Sequence, residues 1–394
     1  MAKELKVNQG KIVKLDLLDN LCPFNAILIE EGQVEITAAC KMCGICVKNG
    51  PEGAFYIIKS SDAAVDKSEW KGIIVYADNS SGYIHPVTFE LIGKAAELAE
   101  KIGHEVYVLL GGYKLEKQVQ QLLNCEIHSL FFYDYKELEN FRIEPYTAIF
   151  EDLINKIKPA IVLVGGTVSG RALAPRVAAR FRTGLTADCT ALDVQLNSDL
   201  DQIRPAFGGN IMAHIRTVNH RPQFATVRYK VFTSKKIVVK KTALSQKCEI
   251  ETTKLQSGVS VIEHHKKPKL KNIEDAEIIV AVGRGFSKLE QLKLAYHLSE
   301  LLGGEVGCSR PVVESGLVEP IRQIGLSGRT VKPKLIITCG ISGSIQFRAG
   351  MSGSEIIFAI NSDPNAPIFD IANYCLIGDA GKIIPELIEK LNSI

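Results

Sequence analysis

From Gly72 onward, short apolar runs alternate with amphipathic stretches. Gly72-Ile-Ile-Val-Tyr-Ala, Glu105-Val-Tyr-Val-Leu-Leu and Ala160-Ile-Val-Leu-Val-Gly-Gly read as buried strands, and Val87 to Ile102 reads as a helix. Strands separated by helices predict a mostly parallel sheet covered on both faces. The alternation resumes at Glu277, with strands at Glu277-Ile-Ile-Val-Ala-Val, Lys334-Leu-Ile-Ile-Thr-Cys, Glu355-Ile-Ile-Phe-Ala-Ile and Tyr374-Cys-Leu-Ile. Helices are expected near Leu289 to Leu302 and over Ile383 to Leu391. Between the blocks, Arg204 to Lys241 is rich in β-branched residues and Gly without a helical period, so it is expected to extend or decorate the first domain. Thr252 to Asn272, with Ser, Gly, His264, His265 and the basic run Lys266 to Lys271, reads as an exposed linker.

The first 60 residues follow another logic. Cys40, Cys43 and Cys46 form a C-x2-C-x2-C run around Gly44, and Cys22 directly precedes Pro23. Three thiolates on one tight loop converge on a cubane, and in two-cluster bacterial ferredoxins a fourth Cys before Pro ligates the other cluster. Sliding residues 12–27 onto 40–55 sets Pro23 on Pro51, Ala26 on Ala54 and Ile27 on Phe55. Ile12, Leu15 and Leu18 then fall on the three cysteines, and Gly50 falls where the second copy would carry its own Cys. The segment resembles a two-cluster ferredoxin reduced to one cluster. It predicts a single 4Fe-4S cluster on Cys22, Cys40, Cys43 and Cys46, with Ile and Leu filling the vacated volume. A four-Cys zinc site fits less well, because such sites favour two separated C-x2-4-C pairs.

Composition narrows the classes. A length of 394 residues argues for two or three domains, and 46% hydrophobic with 23% charged residues describes an ordinary globular chain. A net charge of +3 asks for no nucleic acid, no apolar run approaches a membrane span, and no signal-peptide pattern opens the chain, so a cytoplasmic protein is expected. There, ten cysteines belong to metal chemistry or to the core rather than to disulfides. Cys125, Cys189, Cys248, Cys308, Cys339 and Cys375 share no ligand spacing and are expected to be small buried residues. Cys308 and Cys339 lie nearest the loops that end the second block of strands.

Those loops carry the second chemistry. Gly283-Arg-Gly, Gly307-Cys-Ser-Arg, Gly340-Ile-Ser-Gly-Ser and Asn361-Ser-Asp each follow a strand, where glycine, hydroxyl groups and Arg suit the phosphates of a dinucleotide. Lys288 stands where the third Gly of G-x-G-x-x-G belongs, so the standard NAD fingerprint is absent. Gly184-Leu-Thr-Ala-Asp-Cys-Thr, Arg204-Pro-Ala-Phe-Gly-Gly-Asn-Ile-Met-Ala, Val282-Gly-Arg-Gly, Gly340-Ile-Ser-Gly-Ser-Ile-Gln and Ala359-Ile-Asn-Ser-Asp-Pro-Asn-Ala-Pro-Ile-Phe carry a family likeness. Through them, residues 72–394 resemble the α subunit of an electron transfer flavoprotein.

The resemblance implies an α/β fold in parts: a ferredoxin-like segment over 1–60, a Rossmann-like domain over 72–252 that pairs with a β subunit, a linker over 253–271, and a flavodoxin-like FAD-binding domain over 272–394. It implies FAD contacts at Arg284, Gly285, Ser309 and Arg310, on the loop Ile324, Gly325, Leu326 and Ser327, and on the loop Ser342, Gly343, Ser344, Ile345, Gln346 and Phe347, with Asn361 and Asp379 completing them. Arg310 would lie against the flavin ring and favour its negatively charged reduced form. Ser327 replaces the usual Thr, and Phe347 replaces a His that would donate to the flavin O2 carbonyl.

An N-terminal ferredoxin segment on such a subunit resembles flavin-based bifurcating complexes of anaerobes, above all the caffeyl-CoA reductase complex and a similar lactate dehydrogenase complex. In these, NADH reduces a second FAD held mainly by the β subunit, one electron passes to soluble ferredoxin, and the other passes through the α-subunit FAD to an acyl-CoA dehydrogenase-like or lactate dehydrogenase flavoprotein. The cysteine cluster would be the port to ferredoxin. The competing class is a self-contained FAD and iron–sulfur oxidoreductase. No catalytic set is expected in this chain, because His85, His104, His128, His214, His220 and His297 are scattered and none is placed beside a matched carboxylate.

Overall fold

The computed structural model describes residues 3–30, 32–59, 65–79, 82–206, 211–233, 243–263, 265 and 272–393. The basic run Lys266 to Lys271, His264 and the Phe207-Gly-Gly-Asn part of one family stretch lie outside them. The chain forms two compact units, Met1–Arg204 with Ala213–His264, and Pro205–Met212 with His265–Ile394.

The first unit opens with β1 (Lys3–Val7), β2 (Ile27–Glu30), β3 (Gln33–Ile36), the short helix α1 (Ile45–Asn49) and β4 (Phe55–Lys59). β1 pairs antiparallel with β4, and β2 with β3. Their core is small: Leu18, Val34, Cys46, Ala54 and Phe55 are buried, and Ile12 and Leu15 pack against them. The three aliphatic residues that the 28-residue offset sets on the cysteines, Ile12, Leu15 and Leu18, therefore face this core.

The α/β part of the unit runs β5 (Ile73–Ala77), α2 (Val87–Ile102), β6 (Val106–Gly112), α3 (Glu116–Leu123), β7 (Ser129–Asp134), α4 (Ile143–Ile157), β8 (Ile161–Gly165), α5 (Val168–Arg180) and β9 (Leu185–Cys189). β10 (Ala191–Val194), β11 (Leu200–Ala206) and β12 (Ile211–Ile215) make a separate three-stranded sheet, before β13 (Gln223–Val227) and β14 (Leu244–Lys247) rejoin the main one. That sheet is parallel throughout, in the order β14-β7-β6-β5-β8-β13-β9. Successive side chains of a strand point to opposite faces, so Ile73, Val75 and Ala77 enter one core and Ile74 and Tyr76 the other. Both faces are covered, which is why these strands read as unbroken apolar runs.

One expectation is sharpened here and another corrected. Arg204 to Lys241 does extend the first domain, and from inside its main sheet, since Gln223–Val227 is wholly buried between β8 and β9. Its Gln and Thr interrupt the apolar signal, and Gln223 is satisfied by bonds to Leu200 N and Ser198 O. The linker expected over 253–271 also starts bound: Thr252–Leu255 is a 3-10 turn whose Leu255 is buried in the α4 and α5 core.

The second unit contains β15 (Ile278–Val282), α6 (Leu289–Leu301), β16 (Glu305–Cys308), α7 (Arg310–Glu314), β17 (Leu335–Cys339), α8 (Ile345–Arg348), β18 (Ile356–Asn361), β19 (Tyr374–Ile377) and α9 (Ala380–Asn392). Its sheet is parallel, in the order β16-β15-β17-β18-β19. This 2-1-3-4-5 order reverses at β15 and β17, so a ligand crevice is expected at their carboxyl ends. Among the described residues, no helix is long and apolar enough to cross a membrane.

Candidate functional site

The four predicted ligands come together. Cys22, Cys40, Cys43 and Cys46 line one cavity with Leu5, Phe24 and Ile45. Left-handed backbone at Met42 (φ 54°) and Gly44 (φ 77°) coils the loop between Cys40 and Cys46, and Gly44 tolerates that conformation because it lacks a Cβ. Backbone N–H groups donate to two of the sulfurs, Ala26 to Cys22 and Met42 to Cys40, each at 3.4 Å. Burial, and then the neighbouring Cys40, pushes the Cys46 thiol up, with Cys22 acting in the same direction. Thiols crowded in this way favour a cationic centre that binds their deprotonated forms. Among the described residues no three His, Cys, Asp or Glu side chains gather at the spacing of one metal ion. Four cysteines around a shared cavity supply the donor set that a cubane takes.

Two residues of this site left no trace in the sequence. Arg176 and Arg180 stand four apart on α5; Arg176 donates to the Ala38 carbonyl, and Arg180 to the Ile36 carbonyl at 2.8 Å. The cysteine segment is also tied by Thr253 Oγ1 to Glu30 at 2.7 Å and by Lys254 to Glu35 at 3.5 Å. An i, i+4 arginine pair on a helix is visible in a sequence, but its carbonyl partners more than a hundred residues away are not.

In the second unit, loops at the carboxyl ends of the strands meet. Gly283 N donates to Cys339 O at 2.9 Å and Gly285 N to Gly340 O at 3.2 Å, which joins the β15 and β17 loops. Gly340 has φ +62°, and a Cβ there would lie 2.7 Å from the Gly285 carbonyl carbon, so only glycine allows this approach. Leu326 N donates to Gln346 O at 2.9 Å, which ties the Ile324–Ser327 loop to the Ser342–Phe347 loop. Asn361 Nδ2 donates to Ile341 O at 2.8 Å and braces the same region. Among the described residues, the backbone N–H groups of Ser342, Gly343, Ser344, Ile345 and Gln346 donate to no other protein group, which leaves a row of donors suited to phosphate oxygens.

The remaining predicted residues divide. Arg284 and Gly285 are exposed in the turn after β15, and Ser309 precedes α7 with its N–H donating to Val282 O at 3.0 Å. Arg310 is exposed and paired with Glu314 at 2.8 Å, while Ser327 accepts from Gln323 Nε2 at 2.8 Å. Asp379 caps α9 by accepting from Gly381 N at 2.8 Å. Ile324 and Phe347 are core residues; Phe347, 4% exposed, packs with Met351 and Ile368.

Cys308 and Cys339 are both fully buried, and burial pushes each thiol up to about 12. Cys125, Cys189 and Cys248 are buried as expected. Cys375 is a correction, since it is exposed on β19, an edge strand with none of its residues buried. The histidine reading is corrected too: His214 Nδ1 lies 2.8 Å from Asp201 and His128 Nδ1 3.3 Å from Glu105. Both carboxylates come from residues distant in sequence, and both imidazoles are solvent-exposed.

Two families match the chain: the electron transfer flavoprotein domain over residues 73–257 and the electron transfer flavoprotein FAD-binding domain over residues 272–352. Subunit LctC of a lactate dehydrogenase (NAD(+),ferredoxin) from Acetobacterium woodii is 53% identical over 373 residues, 95% of this chain and 89% of its own. The electron transfer flavoprotein subunit alpha of Clostridium acetobutylicum is 41% identical over 335 residues, 84% of this chain and 99% of its own. Protein FixB of Clostridium saccharobutylicum is 42% identical over 329 residues, 83% and 98% respectively. The first match spans too much of the chain to omit the cysteine segment, whereas the other two are short enough to do so.

Proposed function

The chain belongs to the electron transfer flavoprotein α-subunit family, and on that premise we propose that it is the FAD- and iron–sulfur-carrying subunit of a complex that links lactate, NAD and ferredoxin. The observation that carries this reading is the similarity to LctC, which runs through the cysteine segment as well as the flavoprotein domains. It favours lactate over an enoyl-CoA such as caffeyl-CoA as the partner substrate. The partners would be a β subunit with a second FAD, a lactate dehydrogenase-like flavoprotein and soluble ferredoxin.

When bound, FAD supplies one- and two-electron chemistry and a 4Fe-4S cluster supplies single-electron chemistry. This chain's residues would bind and orient both. Arg284, Ser309 and the free N–H groups of Ser342 to Gln346 would neutralise and hold phosphate oxygens. Gln323 would orient the Ser327 hydroxyl, and Asn361 would hold the Ile341 turn in place. Arg310 would bring a positive charge toward the ring, its bond to Glu314 being weak at two exposed groups. Cys22, Cys40, Cys43 and Cys46 would ligate the cluster, and domains bounded near residues 60, 252 and 271 would carry the two sites.

The test is the assembled complex. With its β subunit and the dehydrogenase subunit, the chain should support NAD+ reduction by lactate only when reduced ferredoxin is present. Ferredoxin-independent turnover, or NADH oxidation driven by an enoyl-CoA in place of lactate chemistry, would overturn the reading.

A further inference from the structure

Five cations, Lys6, Lys41, Arg176, Arg180 and Arg182, line a cavity on the Cys40 side of the cysteine loop, together with Glu151. Their charges are not equally matched. Arg180 Nε lies 3.0 Å from Glu151, and Lys41 faces Glu144 at 3.8 Å. Arg176 has no carboxylate within ion-pair reach among the described residues; its guanidinium is held by the neutral Ala38 carbonyl, two residues before Cys40. Its Nε is buried and donates to nothing. Burial pushes this guanidinium down, and Glu144 pulls it back up; Arg180 adds to the lowering, and the Cys40 sulfur and Glu151 to the raising, so Arg176 and Cys40 lie within electrostatic reach of each other.

We propose that Arg176 sets the reduction potential of the iron–sulfur centre at Cys40, by holding beside that ligand a positive charge that no carboxylate among the described residues pairs directly. The inference rests on the reading that the four cysteines carry a cluster. Each electron taken up makes such a centre more negative by one charge, and a fixed cation nearby stabilises that state and raises the midpoint. Partial burial protects the interaction from salt screening. Arg suits the task because it does not deprotonate, and its fork reaches the Ala38 carbonyl from the cavity that Cys40 also lines. Arg176 belongs to α5 rather than to the cysteine segment, so it acts on the potential without being a ligand.

The experiment is an anaerobic, EPR-monitored redox titration of the full chain with its β subunit, with iron and FAD content measured alongside. Arg176→Gln should lower the midpoint, Arg176→Lys should keep it near the parent value, and Arg180→Gln should move it less than Arg176→Gln. Arg180→Gln removes a matched charge and a tether of its own, so it separates charge from geometry. If Arg176→Gln fails to retain iron, Glu144→Gln reads the same field with opposite sign and should raise the midpoint. An unmoved midpoint in the iron-loaded Arg176→Gln or Glu144→Gln protein overturns the proposal, as do equal shifts in Arg176→Gln, Arg176→Lys and Arg180→Gln. Absence of iron from the parent chain overturns the cluster reading and this inference together, and iron content distinguishes that failure from the others.

Discussion

In the cysteine segment the groups aimed at a cofactor are four side chains on a core of five buried residues. In the second unit they are mainly backbone donors, on loops that end five parallel strands between cores of 16 and 13 buried residues. On the proposed reading the first arrangement would depend on its ligand to be stable, because the few apolar contacts among its described residues would not offset the ordering of some sixty residues. The second is shaped before any ligand arrives, because its crevice follows from strand order and glycine contacts. On the proposed reading, one chain contains a site that a cofactor would complete and a site that the fold completes.

The largest test of that contrast is Cys46→Ala, which removes the buried one of the four proposed ligands. Iron should fall from about four per chain to near zero, and amide exchange over residues 3–59 should rise to that of an unfolded segment. FAD retention should stay at the parent level. Loss of FAD in step with iron would show that the sites are not independent. A substitution in the other region should do the reverse: Gly340→Ala forces a Cβ against the Gly285 backbone at positive φ. It should cost about 1–3 kcal/mol in the second unit, read as a lower melting transition and faster FAD release, with iron unchanged.

The two regions were unequally legible. The cysteine spacing and its 28-residue offset repeat single out the four thiols that line one cavity, since such candidate ligands are side chains and sit close together in sequence. The second site was legible as a set of glycine-bearing loops, but not as contacts: nothing local says that Gly340 meets Gly285 or that Gln323 reaches Ser327. The same limit hid β13, whose Gln223 is polar yet central, and the Asp201 partner of His214. Strands such as Ile73–Ala77 were plain because both faces are buried. Arg176 was beyond reach because its meaning depends on a carbonyl 138 residues away.

Cysteine titration sharpens the comparison in opposite directions. In the segment, iron binding needs thiolates, so acid should release iron. In the second unit, Cys308 and Cys339 stay protonated up to about 12, whereas an unfolded thiol titrates near 8.5. The unfolded chain thus binds fewer protons above that pH. Their contribution is fully present below about pH 8.5 and declines as pH rises toward the folded value, by at most about 1.4 kcal/mol per thiol per pH unit. Denaturant melts of the second unit between pH 8 and 11 should show this slope. Cys308→Ala with Cys339→Ala should flatten it, and an unchanged slope would refute their part in it.

The smallest expected effect is a null one, and it bears on why the proposed cluster would be single. Ile12→Cys, Leu15→Cys and Leu18→Cys together restore three thiols to the first repeat, all at positions facing the small core. Iron should nevertheless stay at about four per chain rather than rise to about eight. The fourth ligand would have to come from Gly50, where a Cβ would stand 2.4 Å from the Cys46 carbonyl oxygen and 3.1 Å from Leu21 Cδ2. Backbone cannot give way there without moving Cys46, a proposed ligand of the remaining site. Adding Gly50→Cys to the triple variant should therefore lower iron below the parent value. A rise toward eight would mean that the second site is only unfilled, and that the close packing at Gly50 is not what closed it.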